Sequence, residues 1–246
     1  MKQGKPVKTR AQVQVNFRLA GTGFDSKTEM WRMQFNAIVS ALGRRKNEKP
    51  SEHDVATMQD LVKHKFAPAA YVVGLWEIDG DVMPKNPEAG LSKVQYAADK
   101  NYGPALFFIG SSTMEGRLFP KDLNKGLSLM REAAVLGSQQ AEFMLGEKYE
   151  KGDGVEADLE RAKRYFRFCA AKGTPECQFR LGKLLLSAPG RGEQDRPQAV
   201  AWLQLAEGHG LAAAKALAET EAAKLTTRQD ESVNRLKTQF EQALDR

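Results

Sequence analysis

One pattern recurs along this chain at a step of 36 residues: a small residue, then an aromatic two positions on, then an aliphatic and a glycine. It reads Ala69-Ala70-Tyr71-Val72-Val73-Gly74, Ala105-Leu106-Phe107-Phe108-Ile109-Gly110, Ala141-Glu142-Phe143-Met144-Leu145-Gly146 and Cys177-Gln178-Phe179-Arg180-Leu181-Gly182. Self-similarity at a fixed period of this size marks a repeat architecture and constrains the fold more than any local propensity. A second glycine keeps the step at Gly80, Gly116 and Gly152, and the fourth copy slips to Gly190 or Gly192.

Each copy reads as two helices. In the first, Gly and Ala among larger apolar residues let a neighbouring helix approach closely. A turn rich in Gly, Asp and Pro follows, as at Asp79-Gly80-Asp81, Gly152-Asp153-Gly154 and Pro189-Gly190-Arg191-Gly192. The second helix is amphipathic, with Leu159, Ala162, Phe166, Cys169 and Ala170 on one face. It closes at Gly173, near where other copies place Asn101, Gly137 and Gly210, residues suited to the left-handed conformation at a helix end. A single helix pair cannot bury its apolar face, so neighbouring pairs must supply the core. The expected fold class is all-α, a solenoid of stacked antiparallel helix pairs.

The third copy, Ala141-x-x-x-Leu145-Gly146-x-x-Tyr149-x-x-Gly152-x-Gly154-Val155-x-x-Asp158-x-x-x-Ala162-x-x-Tyr165 through Ala170-Ala171-x-Gly173, resembles the Sel1-like repeat, a relative of the tetratricopeptide repeat. The resemblance covers residues 67–225. It weakens in the first copy, where Gly90 and Glu77 replace the expected alanine and tyrosine, and in the loop of the fourth. It implies a right-handed, curved α-solenoid acting as an adaptor or scaffold in multiprotein complexes. Residues 21–66 are expected to form a helical cap, with helices over 27–45 and 52–66. At the other end, Ala213 to Leu225 reads as a fifth first helix. Residues 226–246 read as a capping helix, carrying Val233, Leu236, Phe240 and Leu244 at helical spacing.

Before the helices, Gln12-Val13-Gln14-Val15-Asn16-Phe17-Arg18-Leu19 alternates polar and apolar and predicts one short N-terminal β-strand. With Gly4-Lys5-Pro6-Val7 it resembles the last strand of a TonB-type C-terminal domain, and residues 1–20 are expected to be an extended strand or a remnant of such a domain. An edge of this kind would pair through residues 10–19 with another chain's sheet; the alternative is a short edge strand or ordered tail. Charge is concentrated here, with 13 Lys/Arg against 6 Asp/Glu in residues 1–66 out of a net +6 for the whole chain. The cluster Arg44, Arg45, Lys46 and Lys49 has no recognition motif beside it, so it is expected to be a solvated face and no nucleic-acid partner is expected. The chain has no apolar run long enough to span a bilayer, so no membrane insertion is expected, and its first residues lack the apolar stretch of a secretory signal.

The only two cysteines, Cys169 and Cys177, lie across the junction between the third and fourth copies. Their spacing resembles that of the cysteine-rich Sel1-like proteins secreted by Helicobacter, which implies a disulfide stapling one repeat to the next. The alternative is two small buried thiols, since Cys177 fills the slot of Ala69, Ala105 and Ala141. A disulfide implies an oxidising compartment, the periplasm or cell envelope of a bacterium; otherwise the chain is cytoplasmic. No HExxH, CxxC or G-x-S-x-G occurs, and His53, His64 and His209 are too dispersed to share a metal. No catalytic residue, metal site or cofactor is therefore expected.

The reading of function is a non-catalytic scaffold that binds a protein or peptide on the concave face of the solenoid. Alternatives are a self-associating structural repeat protein or a hydrolase built on a repeat scaffold. The aromatic column Tyr71, Phe107, Phe143 and Phe179 keeps its character and is read as core. The neighbouring columns vary from copy to copy, and in tetratricopeptide-like solenoids the first helices line the concave surface. Val72, Trp76, Phe108 and Met144 are thus the candidate apolar anchors and Lys148 and Arg180 the polar ones, although Trp76 and Phe108 also fit as gap fillers against the following helix.

Overall fold

The computed structural model describes residues 26–44, 49–187 and 192–244. Among these the protein is all-α, with twelve α-helices and no strand. The expected strand at 12–19, the edge pairing of residues 10–19 and part of the basic cluster lie outside the described residues, as does most of the fourth copy's loop. The helices fall into two compact units divided between Ala105 and Leu106.

The first unit holds α1 (Ser26–Arg44), α2 (Glu52–Lys63), α3 (Ala67–Asp79) and α4 (Pro87–Asp99). Helix α1 buries Phe35 and Ile38, and its aromatic residues meet the end of α2, with Trp31 packed 5.0 Å from His64 and Phe35 edge-on to Phe66 at 5.7 Å. Helix α2 begins at a capping box, Ser51 and Asp54 each accepting from the other's backbone N–H. His64 ends α2 as its C-cap. Helices α3 and α4 approach through paired glycines. A Cβ on Gly74 would lie 2.7 Å from the carbonyl oxygen of Gly90, and one on Gly90 would lie 2.5 Å from that of Gly74. The departure at Gly90 is thus a requirement of close packing.

The second unit continues from α5 (Gly103–Glu115), which starts at the boundary, through α6 (Leu123–Val135), α7 (Gln139–Lys151), α8 (Leu159–Ala170), α9 (Pro175–Ser187) and α10 (Asp195–Gly208). Consecutive helices joined by such short turns are antiparallel neighbours. The expected fifth first helix is shorter than predicted, a 3-10 turn over Ala212–Ala214 leading into α11 (Lys215–Ala222). The expected capping helix is α12 (Thr227–Leu244). It buries Val233 against Val200 and Ala201 and stacks Phe240 on Trp202 at 3.9 Å.

The repeating turns have one mechanism. Gly80, Gly116 and Gly152 end the first helices with φ of 76°, 72° and 73°. The side chains of Asn86, Asp122 and Asp158, also 36 residues apart, accept from the backbone N–H of Ala89, Lys125 and Arg161 and so start the second helices. Their own backbone N–H groups donate to the carbonyls of Glu77, Thr113 and Tyr149, closing the turn onto the helix just finished. The fourth copy has Gln194 at this place and makes no side-chain cap.

The wholly buried columns are the small residues Ala69, Ala105, Ala141 and Cys177 and the aliphatics Val73, Ile109, Leu145 and Leu181. The aromatic column read as core is buried only at Tyr71. Phe107, Phe143 and Phe179 are half-buried. Phe143 meets Phe166 at 5.9 Å, and Phe179 packs against the cluster of Leu203, Ala206, Ala214 and Ala218.

Candidate protein-interaction face

Helices α7 and α9 each bury one face and leave the opposite one half-buried, with Lys151 and Lys183 exposed. On α7, Ala141, Glu142, Leu145, Gly146 and Tyr149 point inward, which places Gln140, Glu147 and Lys151 outermost with Phe143 and Met144 as flanks. On α9 the corresponding flanks are Phe179 and Arg180, with Lys183 outermost and its ammonium 5.6 Å from the Phe179 ring centre.

The residues expected to recognise a partner occupy several kinds of environment. Val72 is buried in its unit at 8% exposure and offers almost no surface. Trp76, Phe108 and Met144 are half-buried. Lys148 and Arg180 are both engaged within the chain. Lys148 pairs with Asp153 at 2.9 Å while its carbonyl accepts from the backbone N–H groups of Gly152 and Asp153, so it braces its own turn. That hydrogen bond and charge hold the Asp153 carboxyl below the usual carboxylate range. Arg180 reaches across from α9 to α7, donating to Glu147 at 2.7 Å and Glu150 at 3.4 Å, and Glu147 also receives Lys151 at 3.2 Å. Variation in this column reflects contacts between adjacent first helices as well as exposure.

Cys169 and Cys177 are joined by a disulfide with Cα atoms 5.8 Å apart, both wholly buried. Beside it lies a polar arrangement that the sequence reading missed. Gln178, fully buried, donates to the carbonyl of Ala170 at 3.2 Å and pairs its carbonyl oxygen with His209 Nδ1 at 3.0 Å. Its counterpart Glu142 receives Lys172 at 2.6 Å, and Lys172 also donates to the carbonyl of Gly137. The signal was present in the sequence as polar residues at buried first-helix positions 142 and 178, where the earlier copies carry Ala70 and Leu106. Among the described residues no group of three or more His, Cys, Asp or Glu side chains is arranged to hold a metal.

The Sel1 repeat family model matches residues 103–138, 139–173 and 175–210. These three segments are Sel1 repeats. The copy beginning at Ala69 lies outside the match, and the disulfide joins the second matched Sel1 repeat to the third. Among solved structures, the chain resembles a protective antigen of uropathogenic Escherichia coli strains displaying an SLR fold. That match has 22% identity and a TM-score of 0.62, covering 89% of this chain and 48% of that one. A Sel1 repeat protein from Oxalobacter formigenes matches at 25% identity and a TM-score of 0.62, covering 69% and 49%. An immunity protein from Pseudomonas aeruginosa matches at 15% identity and a TM-score of 0.53, covering 89% and 84%. The chain therefore spans about half the length of the first two. No curated protein matches it. These likenesses agree with the α-solenoid fold class, and the TonB-type resemblance of residues 1–20 gains no support from them. Sel1 repeats generally mediate protein–protein interaction, and their scaffold is typically non-catalytic.

Proposed function

We propose that this protein is a non-catalytic interaction scaffold that binds an extended segment of a partner protein on its first-helix face, in an extracytoplasmic, cell-envelope setting. The observation that carries the reading is the half-buried side of α7 and α9 opposite their core. There Phe143, Met144 and Phe179 present apolar surface beside the charged groups of Glu147, Arg180 and Lys183, the mixture of anchors and polar rim found at recognition surfaces. Phe108 on α5 continues the column of Met144 and Arg180 within the same unit, whereas Val72 and Trp76 belong to the first unit, where Val72 is too buried to take part. In this reading Arg180 serves as a polar contact while remaining latched to Glu147, and Lys148 holds the turn beside it. The buried disulfide supports an oxidising compartment.

Photo-crosslinking from position 144 in the native host tests the reading. A discrete adduct from Met144, absent when the crosslinker is placed on α12 at the exposed Asn234, is the expected result. Adducts from Asn234 alone, or from neither position, would contradict it.

A further inference from the structure

A second surface of the molecule is built differently from the first-helix face and does not depend on it. Helix α8 is the most basic helix among the described residues, with Arg161, Lys163, Arg164 and Arg167 against Glu160 alone. Lys163 is neutralised by Glu160 at 2.6 Å and Arg161 in part by Asp158 at 3.1 Å, while Arg164 and Arg167 form no ion pair among the described residues. Arg161, Arg164 and Phe168 stand at i, i+3 and i+7 and therefore share one stripe of the helix. Phe168 is 54% exposed, a large apolar ring at the end of a row of cations.

The stripe is joined to its neighbours by an aromatic platform. Tyr149 of α7 and Tyr165 of α8 lie parallel, 5.7 Å apart with 7° between their planes. The Arg161 guanidinium sits 5.4 Å over the Tyr149 ring, and Arg131 of α6 donates to the Tyr149 hydroxyl at 3.3 Å. Burial by itself pushes the Tyr149 phenol up, but hydrogen bonds and charge from Arg131 and Arg161 outweigh it and hold the phenol below its ordinary value. Burial raises the Tyr165 phenol and Tyr149 adds to the rise, while charge from Arg131, Arg161 and Arg164 opposes it. Arg131, Arg161, Lys163, Arg164 and Arg167 thus outnumber the local acids, Glu132, Asp158 and Glu160.

We propose that this second-helix face docks an acidic, extended segment of a partner protein, its carboxylates on Arg131, Arg161 and Arg164 and one of its apolar side chains over Phe168. Planar guanidinium groups match carboxylates in a two-pronged geometry, and Arg131 and Arg161 are held in place by Tyr149, which lowers the cost of ordering them. A flat anionic membrane would press its charge against Glu132 and Glu160 as well, whereas a chain of alternating acidic and apolar residues can run between them.

Fluorescence anisotropy on the full chain tests this, using a labelled short peptide of Asp and Glu around a central Phe, and the same peptide with Asn and Gln in their place. The acidic peptide is expected to bind, more tightly at low salt, and the amide peptide is not. The triple substitution Arg131→Gln, Arg161→Gln, Arg164→Gln should weaken binding by about tenfold or more, and Phe168→Ser by roughly threefold. Arg164→Gln alone breaks no ion pair among the described residues and should weaken it about threefold, which keeps the test valid if the triple variant folds poorly. Arg228→Gln with Arg235→Gln on α12 should leave binding unchanged. Equal affinity for both peptides, unchanged affinity in the Arg164→Gln variant, absence of peptide binding, or binding only to phosphatidylglycerol vesicles would each overturn the proposal.

Discussion

Glu142 and Gln178 occupy one position in successive Sel1 repeats, and each reaches the residue just before the glycine that closes its own repeat, Lys172 before Gly173 and His209 before Gly210. The same contact is ionic in one repeat and uncharged on the glutamine side in the other, so the packing tolerates two chemistries with different pH behaviour. Burial pushes the Glu142 carboxyl up, with Lys172 opposing that shift, and Glu142 Oε2 has no hydrogen-bond partner. A carboxyl whose folded value lies above its unfolded one costs no stability while neutral in both states. It withdraws stability as pH rises out of the ordinary carboxylate range through the folded value. Glu142→Gln, neutral throughout, should therefore gain stability relative to the wild type as pH is raised from about 4 to 7. Urea midpoints at the two ends of that range measure it; a gap that stays constant or closes would show that Lys172 dominates.

The sequence made the glycines legible but not the clasps. Gly137, Gly173 and Gly210, together with Asn101, have the left-handed φ that their place at a helix end predicted, because backbone geometry there depends on few neighbours, and Gly80, Gly116 and Gly152 share it. The role of Arg180 was hidden because an ion pair between α9 and α7 is invisible until the two helices are placed side by side. Column variability was a mixed signal, since a side chain changes from copy to copy when it faces a partner and equally when it faces a changing neighbour.

At the scale of the helix, close approach and crosslinking set the strength of each junction. Gly90→Ala would place a methyl 2.5 Å from the Gly74 carbonyl and should destabilise the protein by about 1–3 kcal/mol through overpacking. Gly43→Ala meets nothing within 4 Å in the last turn of α1 and should stabilise by roughly 0.5–1 kcal/mol. Thermal denaturation of the two variants checks the opposite signs. At the disulfide, other copies carry alanine at both cysteine positions: Ala97 and Ala133 for Cys169, and Ala69, Ala105 and Ala141 for Cys177. The double substitution Cys169→Ala, Cys177→Ala thus preserves the packing and removes only the crosslink. It should cost about 2–3 kcal/mol on loop-closure grounds for so short a loop. A loss below 1 kcal/mol by denaturant titration would mean that the unfolded chain is hardly constrained by the bond.

For the whole molecule, the period of 36 residues was enough to read the stack, since each pair must find its core in the next. It was less informative at the ends, where no following repeat enforces the pattern. Helix α11 is cut to Lys215–Ala222, and α12 covers Val200, Ala201 and Trp202 in place of another pair. Removing residues 226–246 would uncover that apolar face, and sizing by light scattering should show concentration-dependent association of the truncated chain with the intact chain unchanged. The central claim, recognition on the first helices, is tested most directly by calorimetric titration of the partner crosslinked at Met144 against the intact protein and its folded Met144→Lys, Phe179→Ser double variant. The account predicts a loss of affinity of about tenfold or more. Unchanged affinity in that variant would contradict it and remove the first-helix face as the site of binding.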